Sequence, residues 1–271
     1  MRRIPYKKVF ILLPLLGLFQ LGYSQENSKA HHLFFGLGVS NVRLQDRVFS
    51  PLVFGGNGAG LSLGYRFQSE KAIHLVNTGF NSQSLSAKLN RESLTTVDNV
   101  NLFLDYQYLR KLPFQFLNQW LGVGLYNFAS ARNYVLLVED EVSADLFSSI
   151  NIVYAIQKVI SDHALRLNIS LPVIAYVVGR MRVPNDFPEE VLQSIIENPE
   201  DIPLGPILSS GNILGFPEFL DMRVTLSYQY NLSDRFQVRG QYGFRYYQYD
   251  KFLSVKNGLS SYQATVSYRL K

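Results

Sequence analysis

Two-residue alternation of apolar and polar side chains recurs along nearly the whole chain. It predicts an all-β protein, an antiparallel up-and-down transmembrane β-barrel of about ten strands. Three observations carry this. Residues 262–271 place Tyr, Ala, Val, Tyr and Leu on one face and Gln, Thr, Ser, Arg and Lys on the other, because successive side chains of a strand point to opposite faces. No segment after Gln25 is long and apolar enough for a transmembrane helix. Aromatic content is high, with 17 Tyr and 19 Phe, while mean hydropathy is near neutral. That combination suits a wall in which alternate residues meet lipid and aromatics gather at the interfaces.

The strands follow in order. The first spans 32–40, with Leu33, Phe35, Leu37 and Val39 on one face, and the second spans 59–68, with Leu61, Leu63, Tyr65 and Phe67 opposed to Ser62, Gly64 and Arg66. A weakly patterned third spans 72–81. In the fourth, 99–109, Leu102, Leu104, Tyr106 and Tyr108 oppose Asn101, Asp105 and Gln107. The fifth, 120–130, has no clear facing, and the sixth and seventh span 148–158 and 164–178. The eighth, 222–232, alternates Val224, Leu226, Tyr228 and Tyr230 with Arg223, Thr225, Ser227 and Gln229. The ninth, 235–249, opposes Phe236, Val238, Tyr242, Phe244 and Tyr246 to Gln237, Arg239, Gln241 and Arg245, and the tenth is the terminal strand. Counts of eight or twelve also accommodate the pattern. A soluble sandwich alternates too, with shorter strands. The connections discriminate: short links follow strands two, six and eight, a modest one follows strand four, and longer links follow strands one, three, five, seven and nine. Tight turns on one rim and loops on the other are a barrel property.

Residues 1–24 read as a cleaved secretory signal, leaving 25–271 as a single barrel domain. Arg2, Arg3, Lys7 and Lys8 precede an apolar run interrupted by Pro14 and Gly17, and small residues precede Gln25. Four of the 26 Lys+Arg fall in that segment, so 22 basic residues face 21 acidic ones in the remainder. No electrostatic case for nucleic acid survives that near-neutral balance. The absence of Cys removes disulfides, thiol nucleophiles and thiolate metal sites.

The longest link, 179–218, is punctuated by six prolines, and residues 188–197 read as a short helix with Pro188 and two acids in its first turn. Val191, Leu192, Ile195 and Ile196 share one face of it.

On these residues the chain resembles the outer-membrane β-barrel proteins of Gram-negative bacteria. The Ser24-Gln25 junction is similar to signals of the Bacteroidota group, and the last strand resembles the C-terminal signal read by the barrel assembly machinery, with Tyr268, Leu270 and Lys271 where the family ends on an aromatic. The resemblance implies an integral protein of the cell outer membrane. It also implies lipid contact, the assembly machinery as a partner during biogenesis, and export by the N-terminal signal.

Chemistry is sparse. His31, His32, His74 and His163 all fall toward the rim opposite the long links, and no catalytic residue is assigned. Ser161-Asp162-His163 holds triad residue types, but three consecutive turn residues cannot converge on one reacting atom. His31 and His32 are adjacent and point to opposite faces, so no metal site is expected, and no cofactor is implied. The run 55–60, Gly-Gly-Asn-Gly-Ala-Gly, lacks the Lys-Ser/Thr of a phosphate loop and reads as a flexible loop before strand two. Arg66, Arg166, Arg223, Arg239, Arg245 and Arg269 fall on polar strand faces with Asp105. They form either a filled interior or a basic lumen for a small anion. Asp186, Glu189, Glu190 and Glu197 of the long link are the candidate acidic lid. The expected function is a non-enzymatic outer-membrane barrel whose loops or lidded lumen bind a partner or small ligand. A narrow anion-preferring channel and an outer-membrane hydrolase are the alternatives.

Overall fold

The computed structural model describes residues 29–47, 50–89, 92–114, 117–135, 140–183, 211–249 and 255–270. The signal segment, the 188–197 helix and the four lid acids lie outside them. Ten antiparallel strands form the barrel: β1 (Ala30–Asp46), β2 (Val53–Gln68), β3 (Ala72–Leu89), β4 (Glu92–Lys111), β5 (Asn118–Val135), β6 (Asp140–Ile160), β7 (His163–Val183), β9 (Phe219–Asn231), β10 (Phe236–Tyr249) and β11 (Val255–Leu270). A short β8 (Asn212–Leu214) lies outside this set. Each strand pairs with its sequence neighbour, β7 passes over β8 to pair with β9 over His163–Ser170, and β1 pairs with β11 from His31↔Leu270 to Asp46↔Val255, so the sheet closes into a barrel. β8 pairs with β7 only at Ala175–Val177, beyond the point where the β7–β9 ladder ends at Ser170↔Arg223.

Two rims differ. At the turn end β6 and β7 are joined by two residues, of which Ser161 takes the positive φ, 51°, that tight hairpins need. The other end, called here the loop end, carries the 184–211 connection. At the turn end three outward histidines each face an aromatic across the ladder and meet a tyrosine hydroxyl on the diagonal. Nδ1 of His31, His74 and His163 lies 2.5, 3.1 and 2.6 Å from the hydroxyls of Tyr65, Tyr106 and Tyr228, while Phe67, Tyr108 and Tyr230 stand opposite. Such a belt of amphipathic rings suits a lipid–water boundary.

The strands are longer than the bilayer requires. A tilted strand crosses in roughly 9–11 residues, yet β6 and β7 each have 21. The surplus lies at the loop end, and there the polarity pattern changes phase. In β1 the outward residues Leu33, Phe35, Leu37 and Val39 are exposed and apolar; from Asn41 onward the outward face is polar, while inward Val42 and Leu44 are fully buried. β3 does the same, with outward Val76 and Phe80 giving way to Ser82 and Ser84, and inward Leu85 and Ala87 buried. Inward Phe54, Val97, Tyr134, Phe147, Phe219, Tyr247, Tyr249 and Val255 join Val42, Leu44 and Leu85 in one apolar cluster. The turn-end half is therefore apolar outside and polar inside, and the loop-end half is the reverse.

This inversion corrects the expected links. What read as long connections after strands one, three, five and nine is mostly strand; the breaks between strands there run only over 47–52, 90–91, 136–139 and 250–254. The glycine run 55–60 belongs to β2 rather than to a flexible loop, and Gly55 to Gly60 pair in register with both β1 and β3. Likewise, β7 continues to Val183, so the 179–218 link begins five residues later than its sequence suggests.

The phase boundary is testable by charge insertion. Leu61→Arg, on the apolar belt, is expected to cost about 2–4 kcal/mol in reversible unfolding from lipid, whereas Ser84→Arg, outward beyond the boundary, is expected to cost no more than about 1 kcal/mol. Equal costs at the two positions would contradict the assignment.

Candidate functional site

The lumen is stratified, and its loop end is sealed. Arg132 of β5 lies among the buried rings and pairs with Asp46 of β1 at 3.0 Å and with Asp145 of β6. It donates to the Tyr247 hydroxyl of β10 at 2.8 Å. Tyr134 donates to Asp46 at 3.1 Å, and Tyr249 donates to the second oxygen of Asp145 at 2.6 Å. Strands on opposite sides of the barrel are thereby tied through one guanidinium. A buried cation is tolerable only with such partners. Edge-to-face ring contacts, Phe54 with Tyr134 at 5.9 Å and Phe147 with Phe219 at 5.1 Å, fill the space around it.

Below this core lies a chamber of about 190 Å³ bounded by inward residues of β1–β5 and β9–β11. Arg245 donates from Nε to Asp221 Oδ1 at 2.8 Å and lies 4.0 Å from the Phe128 ring centre and 4.8 Å from that of Tyr247. Arg223 lies 3.7 Å over Tyr126, pairs with Asp105 Oδ2 at 3.2 Å and with Asp221 at 3.8 Å, and donates to Ser170 Oγ at 3.0 Å. Two guanidiniums are thus set against two carboxylates and several ring faces, so this part of the lumen is charge-balanced.

An amide belt floors the chamber. Gln241 donates to Gln263 at 3.3 Å and Gln263 to Ser62 Oγ at 2.5 Å, while Asn168 donates to Gln107 at 3.2 Å and Gln107 to Asp105 at 2.7 Å. Gly36 permits the first of these bridges, because a Cβ there would collide with the Gln263 amide.

Toward the turn end the charge is basic. Arg66 of β2 donates to Gln237 at 3.0 Å and to Gln229 Oε1 at 3.5 Å across the lumen, and Arg239 donates to the same Gln229 oxygen at 3.0 Å. Arg166 Nη2 is buried without an acceptor. Arg269 of β11 and His32 of β1 are paired in register at this level.

All seven candidate lumen residues therefore point inward, but they divide into two sites. Arg223, Arg245 and Asp105 belong to the balanced chamber, and Arg66, Arg166, Arg239 and Arg269 belong to the basic turn end. Arg132, Asp46, Asp145 and Asp221 were not among the candidates that the sequence offered. All four sit on strand extensions beyond the phase boundary; continuing each strand's alternation past the last apolar outward residue would have found them. Among the described residues no group of His, Asp and Glu could hold a metal ion.

No protein-family model and no curated protein matches the chain. Solved structures similar to it include the outer membrane protease OmpT from Escherichia coli (7% identity, 92% of this chain and 99% of that one, TM-score 0.49). They also include the translocator domain of the autotransporter NalP from Neisseria meningitidis (9% identity, 97% and 95%, TM-score 0.46) and Ail, the attachment invasion locus protein of Yersinia pestis (10% identity, 88% and 98%, TM-score 0.36).

The sealing network has a measurable cost of disruption. Arg132→Met leaves Asp46 and Asp145 buried without their cation and is expected to destabilise the barrel by about 3–5 kcal/mol. A triple replacement that also converts both acids to apolar residues is expected to recover most of that loss. Denaturant unfolding in detergent or lipid checks both, and a neutral single substitution would remove the network from the account.

Proposed function

We propose that this chain is a non-enzymatic outer-membrane barrel, closed to bulk flow, that binds a small anion in the basic turn-end part of its lumen, on the periplasmic side. One observation carries the reading: Arg166 Nη2 is buried with no acceptor while the neighbouring Arg66 and Arg239 converge on a single neutral amide oxygen of Gln229. A buried guanidinium without a counter-charge is costly, and a multidentate oxyanion matches its donor geometry. Closure is supported by the packed loop-end core and the Arg132 network, in keeping with the filled interiors of small barrels. Absence of hydrolytic chemistry is supported by the histidines: His31, His74 and His163 face outward onto tyrosines at the turn end, far along the strands from the loop end.

A conducting reading is favoured by one feature, the run of inward arginines Arg245, Arg223, Arg239, Arg166 and Arg66 along the lumen. Planar-bilayer recording separates the two. The closed reading expects no stable single-channel steps; anion-selective steps that shrink in Arg239→Gln would establish the channel instead.

Anion binding is tested by stability. At matched ionic strength, inorganic phosphate at about 100 times its dissociation constant is expected to stabilise the folded barrel by about 2.7 kcal/mol relative to chloride. Arg166→Gln is expected to reduce the phosphate affinity at least tenfold while leaving the anion-free protein as stable as before or more so, because it removes a desolvated charge. An unchanged phosphate response in Arg166→Gln, or no response in the parent, overturns the proposal.

A further inference from the structure

The chamber between the sealed core and the amide belt has the opposite chemistry to the turn end, and we infer that it is a second site, one that takes a small primary ammonium. The argument starts from what its polar groups have left to offer. The two guanidiniums are occupied: Arg245 is engaged edge-on by Asp221 and covered by Phe128 and Tyr247, and Arg223 is held by Asp105, Ser170 and the Tyr126 face. Arg223 Nε has no hydrogen-bond acceptor, but Asp221 stands 3.8 Å from it, so an incoming anion would meet a guanidinium already flanked by two carboxylates.

The unmet groups are predominantly acceptors. Asp105 Oδ1, Asn77 Oδ1 and Asn101 Oδ1 are each buried without a hydrogen-bond partner, and all three residues line the chamber. Asp105 and Asn77 face each other directly across the β3–β4 ladder, on its inward side. The orientation of Asn101 is set by its neighbours: the Gln83 carbonyl oxygen takes the amide hydrogens of both Asn99 at 2.6 Å and Asn101 at 2.8 Å, which leaves the Asn101 oxygen for the cavity. Asp105 and Asn101 are themselves buried, so these oxygens have no partner within the described protein, and a donor entering the chamber would offset the cost of their burial.

A carboxylate oxygen beside an amide oxygen accepts from an ammonium, which supplies three donors and a full charge. Phe103 and Tyr126, stacked with ring centres 6.3 Å apart on the same wall, provide apolar cover for the carbon attached to it. Inward Gly38 and Gly60 of β1 and β2 line an adjoining part of the wall, and the chamber holds about 190 Å³. That leaves space for a ligand of a few heavy atoms.

The test uses the full-length folded barrel in detergent, with propylammonium chloride as the probe and 1-propanol as its uncharged counterpart of the same size. Calorimetric titration is expected to show saturable binding of propylammonium and at least tenfold weaker binding of 1-propanol. Asp105→Asn is expected to lower propylammonium affinity tenfold or more. Because that variant also loosens Arg223, Asn77→Val provides an independent arm: it suits a strand, breaks no ion pair, and is expected to weaken binding at least threefold with the heat-modifiable folded band retained. No saturable propylammonium binding, equal binding of 1-propanol, or unchanged affinity in Asn77→Val overturns the inference. The phosphate response of the turn-end site is expected to be unaltered in Asn77→Val, so the two sites fail or stand separately.

Discussion

A strand that crosses lipid must give both of its hydrogen-bonding edges to neighbours, because the hydrocarbon offers its amides and carbonyls nothing in exchange for water. In this chain the requirement is met by joining the first strand to the last, His31↔Leu270 through Asp46↔Val255, and β6 to β7. Closure then dictates the rest. It divides every strand into one face for lipid and one for the interior, and it confines whatever faces inward to a space that ten strands leave narrow. The interior charges, rings and amides are consequences of that confinement.

Beyond the bilayer the continuing strands serve a different purpose. The outward face no longer needs to be apolar, and the inward face, released from any solvent-filled role, becomes the core of what is in effect a small water-soluble β-barrel standing on a membrane one. Val42, Leu44, Phe54, Leu85, Tyr134 and Phe147 would be unremarkable in a soluble protein's interior. Their effect here is to close the lumen. Arg132, buried among them, is matched to a carboxylate of neighbouring β6 and to a carboxylate and a tyrosine hydroxyl of β1 and β10, which fixes how the walls approach one another. Below that level the lumen passes from the ion pairs of Arg223 and Arg245 to the turn end, where Arg66 and Arg239 donate to glutamine oxygens.

The fold was legible in the sequence to the extent that lipid imposes a pattern on it. Leu33, Phe35, Leu37 and Val39 alternate with small and polar residues because one side must be apolar, and strands of that kind were recognisable one by one. Where lipid ends, the apolar side changes from odd to even positions within a single strand, as at Asn41 in β1, and that shift of phase hides the alternation although the strand continues. The glycines of β2 compounded this: a run such as 55–60 has no side chains to display a period, yet it pairs on both edges. The inward direction of the arginines was readable from parity alone. Which acid each one meets was not, since Asp221 lies at the start of β9 before its pattern becomes visible, and Asp46 and Asp145 reach Arg132 from strands far apart in sequence.

The most direct measurement uses the absence of cysteine in the chain. Single cysteines placed at the adjacent residues Ser84 and Leu85 of β3, outward and inward just beyond the lipid boundary, report on the two faces of the same short stretch of wall. With a water-soluble maleimide and the folded barrel in bilayers, Ser84→Cys should react at the rate of an exposed thiol. Leu85→Cys should stay unmodified until the protein is unfolded. Comparable labelling at both positions would mean that the loop-end lumen is open to water, and the account of a sealed barrel would be wrong.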